Sequence, residues 1–208
     1  MYKQLYKVLL PVAAIMGAAA AMQPDAQQIL ASPQAKDDDF TILVNDKPSL
    51  SDLLTVSRTL DMFYDYLRES TGLVERLANP LTTTTIFAPK DAAIISLSRK
   101  PHQGPPEDNK DWEELSAEDE EKSRLEYLQT WVEAHIIAGT DVSFEEGREY
   151  ETLAGGESKI SFVMREGDTG AQDWEKVLVM PGMAKIVERK EGKDGQILVL
   201  DGCLRSDP

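Results

Sequence analysis

One stretch, Thr82–Ile94, constrains the fold of this chain more than any other. Four threonines lead into Ile86-Phe87-Ala88, Pro89 breaks the run, and Lys90-Asp91-Ala92-Ala93-Ile94 resumes it with helical composition. β-Branched and aromatic residues favour an extended strand. Proline cannot donate to a ladder, so the strand ends near Pro89 and a turn or short helix follows. Ile86 and Phe87 fall on opposite faces of that strand, so at least one of them anchors a core.

The pattern before this stretch is helical. Ser49 with Asp52 three residues on has the form of a capping box, and Leu53, Leu54, Leu60, Phe63, Tyr64 and Leu67 recur near helical spacing. Gly72 interrupts, and Leu73, Val74 and Leu77 mark a second helix that stops at Asn79-Pro80. Two helices are therefore expected to feed the strand. Downstream, Ser116 with Asp119 opens another helix, with Leu125, Leu128, Val132 and His135 on one face.

From Asp141 the period changes to two. Short β-rich runs at Glu149–Leu153, Ser158–Met164, Lys176–Met180, Ala184–Arg189 and Gln196–Leu200 alternate with glycine-containing turns. Helices first and strands last give an α+β fold, with the Thr82 strand joining the C-terminal sheet.

Residues 99–123 differ in kind. They hold three prolines, and nine acids stand against one lysine between Glu107 and Glu121. This reads as a surface loop running into the next helix; the acids lack the spacing of a calcium-binding loop. The whole chain has 208 residues and a formal charge of −15, which argues against nucleic acid as a partner because phosphate recognition needs a basic face. Cys203 is the single cysteine, so no intrachain disulfide can form, and with Leu200-Asp201-Gly202 before it no basic neighbour activates it.

The N-terminus carries Lys3 and Lys7, an apolar run Val8–Ala21, and small residues Ala19-Ala20-Ala21. That is the layout of a signal peptide over residues 1–21, and the run is shorter than the ~20 residues that span a bilayer. Residues 22–39, polar and ending in Asp37-Asp38-Asp39, read as a flexible leader. No stable membrane anchor is expected after cleavage, and the expected address is the vacuole lumen or the extracellular space and cell wall.

Three segments together carry a resemblance. They are Thr85-Ile86-Phe87-Ala88-Pro89-Lys90-Asp91-Ala92-Ala93-Ile94, Ala134-His135-Ile136-Ile137-Ala138-Gly139, and Gly195-Gln196-Ile197-Leu198-Val199-Leu200-Asp201-Gly202-Cys203-Leu204. In this order they resemble the motifs of a single fasciclin-like domain over residues 40–205, with the acidic stretch as an insertion. Lys90 and Ile94 depart from the first motif, and the third lacks its usual histidine. The resemblance is greatest to small secretory or vacuolar fungal members. It implies a wedge of two β-sheets with helices packed along one side. It also implies structural roles for Thr85, Phe87, Pro89, Asp91, His135, Gly139 and Asp201, with Asp91 and His135 as hydrogen-bonded partners.

What the family implies functionally is adhesion and binding. The strand that carries an Asp-Ile integrin contact in animal members reads Ala184-Lys185-Ile186-Val187-Glu188 here. No Gly-x-Ser-x-Gly elbow, His-Glu-x-x-His helix, phosphate-binding glycine loop or CxxC is present. No catalytic residue, cofactor or metal is expected; His102, the only other histidine, lies far from His135 in sequence. The expectation is a non-enzymatic secretory-pathway module for a protein or glycan partner. Its alternatives are a vacuolar resident without an adhesive role and, more remotely, a lumenal hydrolase.

Overall fold

Three helices, not two, precede the central strand. The computed structural model describes residues 47–106, 116–165 and 172–204. Within it α1 spans Leu50–Thr55, α2 Asp61–Arg68 and α3 Thr71–Ala78. The capping box at α1 forms as expected: Asp52 N donates to Ser49 Oγ and Ser49 N donates to the Asp52 carboxylate, each at 3.1 Å. The apolar spacing across Val56–Leu60 suggested continuity, but β-branched Thr55, Val56 and Thr59 are weak helix formers, and the Ser57 hydroxyl donates to Leu53 O. Gly72, expected to interrupt, sits instead inside the first turn of α3.

Strand β1, Thr84–Pro89, is buried along its whole length, and α4, Asp91–Ser96, follows Pro89 directly. The segment from Arg99 is not all loop. A 3-10 turn at Pro101–Gln103 packs against α5, Ala117–Glu133, and Arg99 donates to the carbonyls of Gln103 and Gly104. Residues 107–115, the centre of the expected acidic loop, lie outside the described residues, as do the expected signal peptide and leader. Ser116 caps α5 as its spacing with Asp119 predicts.

The remaining strands are β2 Ile136–Ala138, β3 Glu149–Glu151, β4 Lys159–Met164, β5 Val177–Met180, β6 Ala184–Gly192 and β7 Gly195–Leu200. They form a ladder in the order β2-β1-β7-β6-β5-β4-β3, antiparallel throughout except for the parallel pair β1–β7. Long β6 serves two halves. Ala184 and Lys185 pair with β5, and Ile186 through Gly192 pair with β7. A bulge between Ile186 and Glu188 interrupts its register, the feature that bends strands. The two sheets of the wedge thus share β6.

Two cores result. Ile86, Ala88, Ile197 and Val199 face the helices, against Leu50, Leu54, Leu60, Phe63, Leu67, Trp131 and Val132. Phe87, Leu198 and Leu200 face the other way, against Ile160, Phe162, Val177, Val179 and Leu204. Both Ile86 and Phe87 are core anchors, one for each side. This explains why β1 and β7 read as nearly continuous apolar runs.

Candidate functional site

The three sequence motifs become three adjacent strands, β2, β1 and β7, with their flanking turns. Their polar groups are spent holding these strands together. Thr85, fully buried, donates its hydroxyl to Gly139 O at 2.8 Å, and Gly139 N donates to Thr83 O at 2.8 Å. Gly139 turns the chain out of β2 at φ +100°, a conformation that glycine adopts without strain. Phe87 N donates to His135 O at 2.8 Å. Pro89 closes the β1–β7 register opposite Leu200, where its missing N–H costs no ladder bond within the strand, and Lys90 N donates to Leu200 O. Asp201 ties β7 to β6 twice: its carboxylate accepts from Lys185 N at 2.7 Å and its own N–H donates to Lys185 O at 3.0 Å.

The expected bond between Asp91 and His135 does not form. Asp91 is a helix cap, but for another helix. Its carboxylate accepts from Met62 N at 3.0 Å, and its N–H donates to Thr59 O at 2.9 Å. Helix α2 has Leu60 at its N-cap, which offers no side-chain acceptor, so Asp91 supplies from 29 residues away the anion that an N-terminus favours. His135 finds nearer partners. It follows the last turn of α5, and its Nδ1 lies 2.8 Å from Trp131 O while Leu204 N lies 3.2 Å from Nε2. A carbonyl only accepts and an amide only donates, so Nδ1 carries the proton and the ring is the neutral tautomer. The imidazole is fully buried and packs 4.4 Å from the Trp131 ring and 5.9 Å from Phe63. A general base needs a lone pair within reach of substrate, and this one is committed to an internal amide.

The other candidates follow suit. Cys203 is buried, and loss of solvent pushes its thiol up to about 12, so it is a poor nucleophile near neutrality. His102 meets Tyr66, with Nδ1 and Oη 2.6 Å apart and the rings 5.7 Å apart. Burial raises the Tyr66 phenol above its ordinary value, helped by the Asp65 charge. Among the described residues no group of three or more His, Cys, Asp or Glu side chains is placed to hold a metal ion. Also among them, no helix is long and apolar enough to cross a membrane.

One polar cleft, of about 370 Å³, escaped the sequence reading. It lies where the β6–β7 turn meets the start of β1 and the exit from β2, lined by Lys47, Thr83, Thr140, Arg189, Glu191 and Gln196 together with Gly192, Lys193 and Gly195. Lys47 and Arg189 both grip Glu191, at 2.8 and 3.1 Å, and Lys47 holds the Glu191 carboxyl below its ordinary value. Gly195 is obligatory here: at φ +152° a Cβ would stand 1.9 Å from Thr84 O. The one sequence signal was Gln196, a polar residue heading the apolar run Ile197–Leu200.

A family model, the fasciclin domain, matches residues 58–206. A FAS1 domain-containing protein of Aspergillus fumigatus is 33% identical over 77% of this chain, which spans 64% of that relative's length. Another, of Emericella nidulans, is 26% identical over 83% of this chain and 70% of its own length. A third, of Neurospora crassa, is 33% identical over 42% of this chain and 39% of its own. With its three motif segments forming adjacent strands and the family model covering well over half its length, the chain belongs to the fasciclin domain family.

Proposed function

We propose that this chain is a non-catalytic binding module of the secretory route that engages a protein or glycan partner through surface loops. The observation that carries the reading is where the motif residues spend their chemistry. Thr85, Asp91, His135 and Asp201 each bond to the protein's own backbone, leaving the reactive-looking groups as fasteners. A scaffold fixed in this way supports recognition by the loops it displays. The relatives are named only by their FAS1 domain, which agrees with a binding role without specifying one.

The test has two arms. Immobilised full chain is titrated with cell-wall and vacuolar-lumen fractions, with heat-unfolded chain as the control. Saturable retention by the folded chain alone supports the reading, and its absence from every fraction overturns it. Mass spectrometry of the N-terminus after cell fractionation checks the route. Cleavage near Ala21 with the product in wall or medium supports a matrix role. The same cleavage with a vacuolar product supports the lumenal resident, and an uncleaved cytosolic chain removes the secretory argument.

A further inference from the structure

We infer that the cleft at the β6–β7 turn binds an acidic sugar, one carboxylate beside ring hydroxyls, with cations of the cleft holding the carboxylate and Gln196 reading a hydroxyl. The inference deepens the binding-module reading and rests on it.

Charge is the first observation. Among the described lining residues, three cations, Lys47, Arg189 and Lys193, stand with one carboxylate, Glu191, on a chain whose formal charge is −15. Glu191 is already shared by Lys47 and Arg189. Among the described residues the Lys193 ammonium makes no ion pair within 4 Å, and the exposed Asp52 carboxyl, lowered chiefly by its hydrogen bonds to Ser49, also feels its charge. Buried Asp194 next to it is engaged by Leu50 N at 2.8 Å. The cleft is thus a local positive well on a repelling surface, the arrangement that concentrates an anion.

Gln196 is the second, independent observation. It is 5% exposed and lines the cleft, and its Oε1 is buried without a hydrogen-bond partner. Exchanging the amide oxygen and nitrogen does not cure this. The Thr85 hydroxyl gives its proton to Gly139 O, so it presents only lone pairs to Gln196, and Thr140 O can only accept. The amide nitrogen must therefore face both, and it does so at 3.4 Å each, near the limit of a hydrogen bond. A weakly held amide with an orphaned oxygen lacks a donor, and a hydroxyl reaching Gln196 from the cleft that it lines would supply one.

The two observations select the ligand class together. Sulfate or another fully ionised anion answers the cations but brings no donor that Gln196 needs. A neutral sugar brings hydroxyls but no charge. An acidic sugar supplies both.

The experiment is a two-dimensional amide NMR titration of the full chain with trigalacturonate, with neutral galactotriose and inorganic sulfate as comparison probes. The expected result is saturable shifts confined to Thr140, Gly192, Lys193, Gly195, Gln196 and the Gln196 side-chain amide. Both comparison probes should bind at least about tenfold more weakly, the free-energy difference of one lost good contact. Lys193→Glu, on an exposed residue, and Gln196→Met, which removes the orphaned oxygen at similar volume, should each weaken trigalacturonate by a similar factor. Melting temperatures confirm that both variants fold. Equal affinity for sulfate reduces the cleft to an adventitious ion site and overturns the inference, as does wild-type affinity in both variants. A silent cleft in a chain that still retains wall material saturably removes this site and leaves the binding-module reading standing. Silence in both removes both.

Discussion

Replacing His135 by phenylalanine tests the fastening role of the second motif most directly. The ring volume and its packing on Trp131 and Phe63 are retained, while both nitrogens are lost. Trp131 O and Leu204 N are then left without the partners they have at 2.8 and 3.2 Å, in a site that excludes water. Each orphaned buried group costs about 1–3 kcal/mol, so the variant should lose about 2–6 kcal/mol of unfolding free energy. His135→Ala adds a cavity where the ring stood and should cost about 1–3 kcal/mol more, within the range for large-to-small core changes. Urea denaturation followed by tryptophan fluorescence measures both, and equal slopes confirm that the midpoint shift reports stability. Hydrogen exchange adds a local readout, because Leu204 N–H should lose protection in His135→Phe before the β1–β7 core does. Nitrogen NMR of the wild-type ring should show the Nδ1–H tautomer. A His135→Phe protein within about 1 kcal/mol of wild type, with Leu204 still protected, would refute the argument that the ring nitrogens hold this junction.

The remaining predictions concern a cap, two glycines and a thiol. Asp91→Ala should cost about 1–2 kcal/mol by uncapping α2, with Asp91→Asn costing less, and thermal melts in which the two variants match wild type would remove the cap. Gly195→Ala should be severely destabilising or fail to fold, since its Cβ would meet Thr84 O. Gly72→Ala, in a helical first turn with open space around the Cβ, should instead stabilise by about 0.5–1 kcal/mol, so opposite signs in paired melts are the expected result. Cys203, raised from about 9 to about 12 in the folded chain, should react with a disulfide reagent at pH 8 only after unfolding. Its contribution to stability is full below the ordinary thiol range and should fall as pH rises from about 9 toward 12, because the unfolded chain ionises first. Rapid labelling of native protein at pH 8 would contradict the burial.

What the sequence revealed depended on the range over which its information acts. The strands from β3 to β6 were visible because alternation and turn glycines are local, β7 because its apolar run follows a glycine turn, and Ser116 was visible as a cap because its target lies three residues on. The break between α1 and α2 was not. The apolar residues kept helical spacing across it, and the contact that fills the gap comes from Asp91, in a different helix. The same distance hid His135's partners. Trp131 O sits one turn back in α5, whereas Leu204 N is 69 residues away, so composition suggested that the imidazole needed partners without naming them. The cleft was the hardest to see, since it draws residues from the segment before α1, one end of the β1–β2 pair and the β6–β7 turn.

If the cleft binds as proposed, its placement says how a domain of this kind varies its ligand without risking its fold. Its walls stand at one end of the three motif strands, and the backbone there is pinned from several sides. Thr84 N donates to Asp194 O, Lys193 N donates to Pro48 O, and Gly139 N donates to Thr83 O, at 2.8–3.0 Å. These bonds use no side chain, so Lys47, Thr83, Thr140, Arg189 and Lys193 can change while the wall geometry stays. Gln196 and Gly195 are different: one reaches into the β1–β2 fastening through Thr85, and the other lies too close to Thr84 O for any side chain. Substitutions at the five exposed positions should therefore alter charge preference with little change in stability, whereas substitutions at Gln196 and Gly195 couple recognition to the scaffold. The motif strands and the cleft are in this sense one construction. The fasteners that remove His135, Asp91 and Asp201 from chemistry are what make a precise surface possible a few residues further along the same strands.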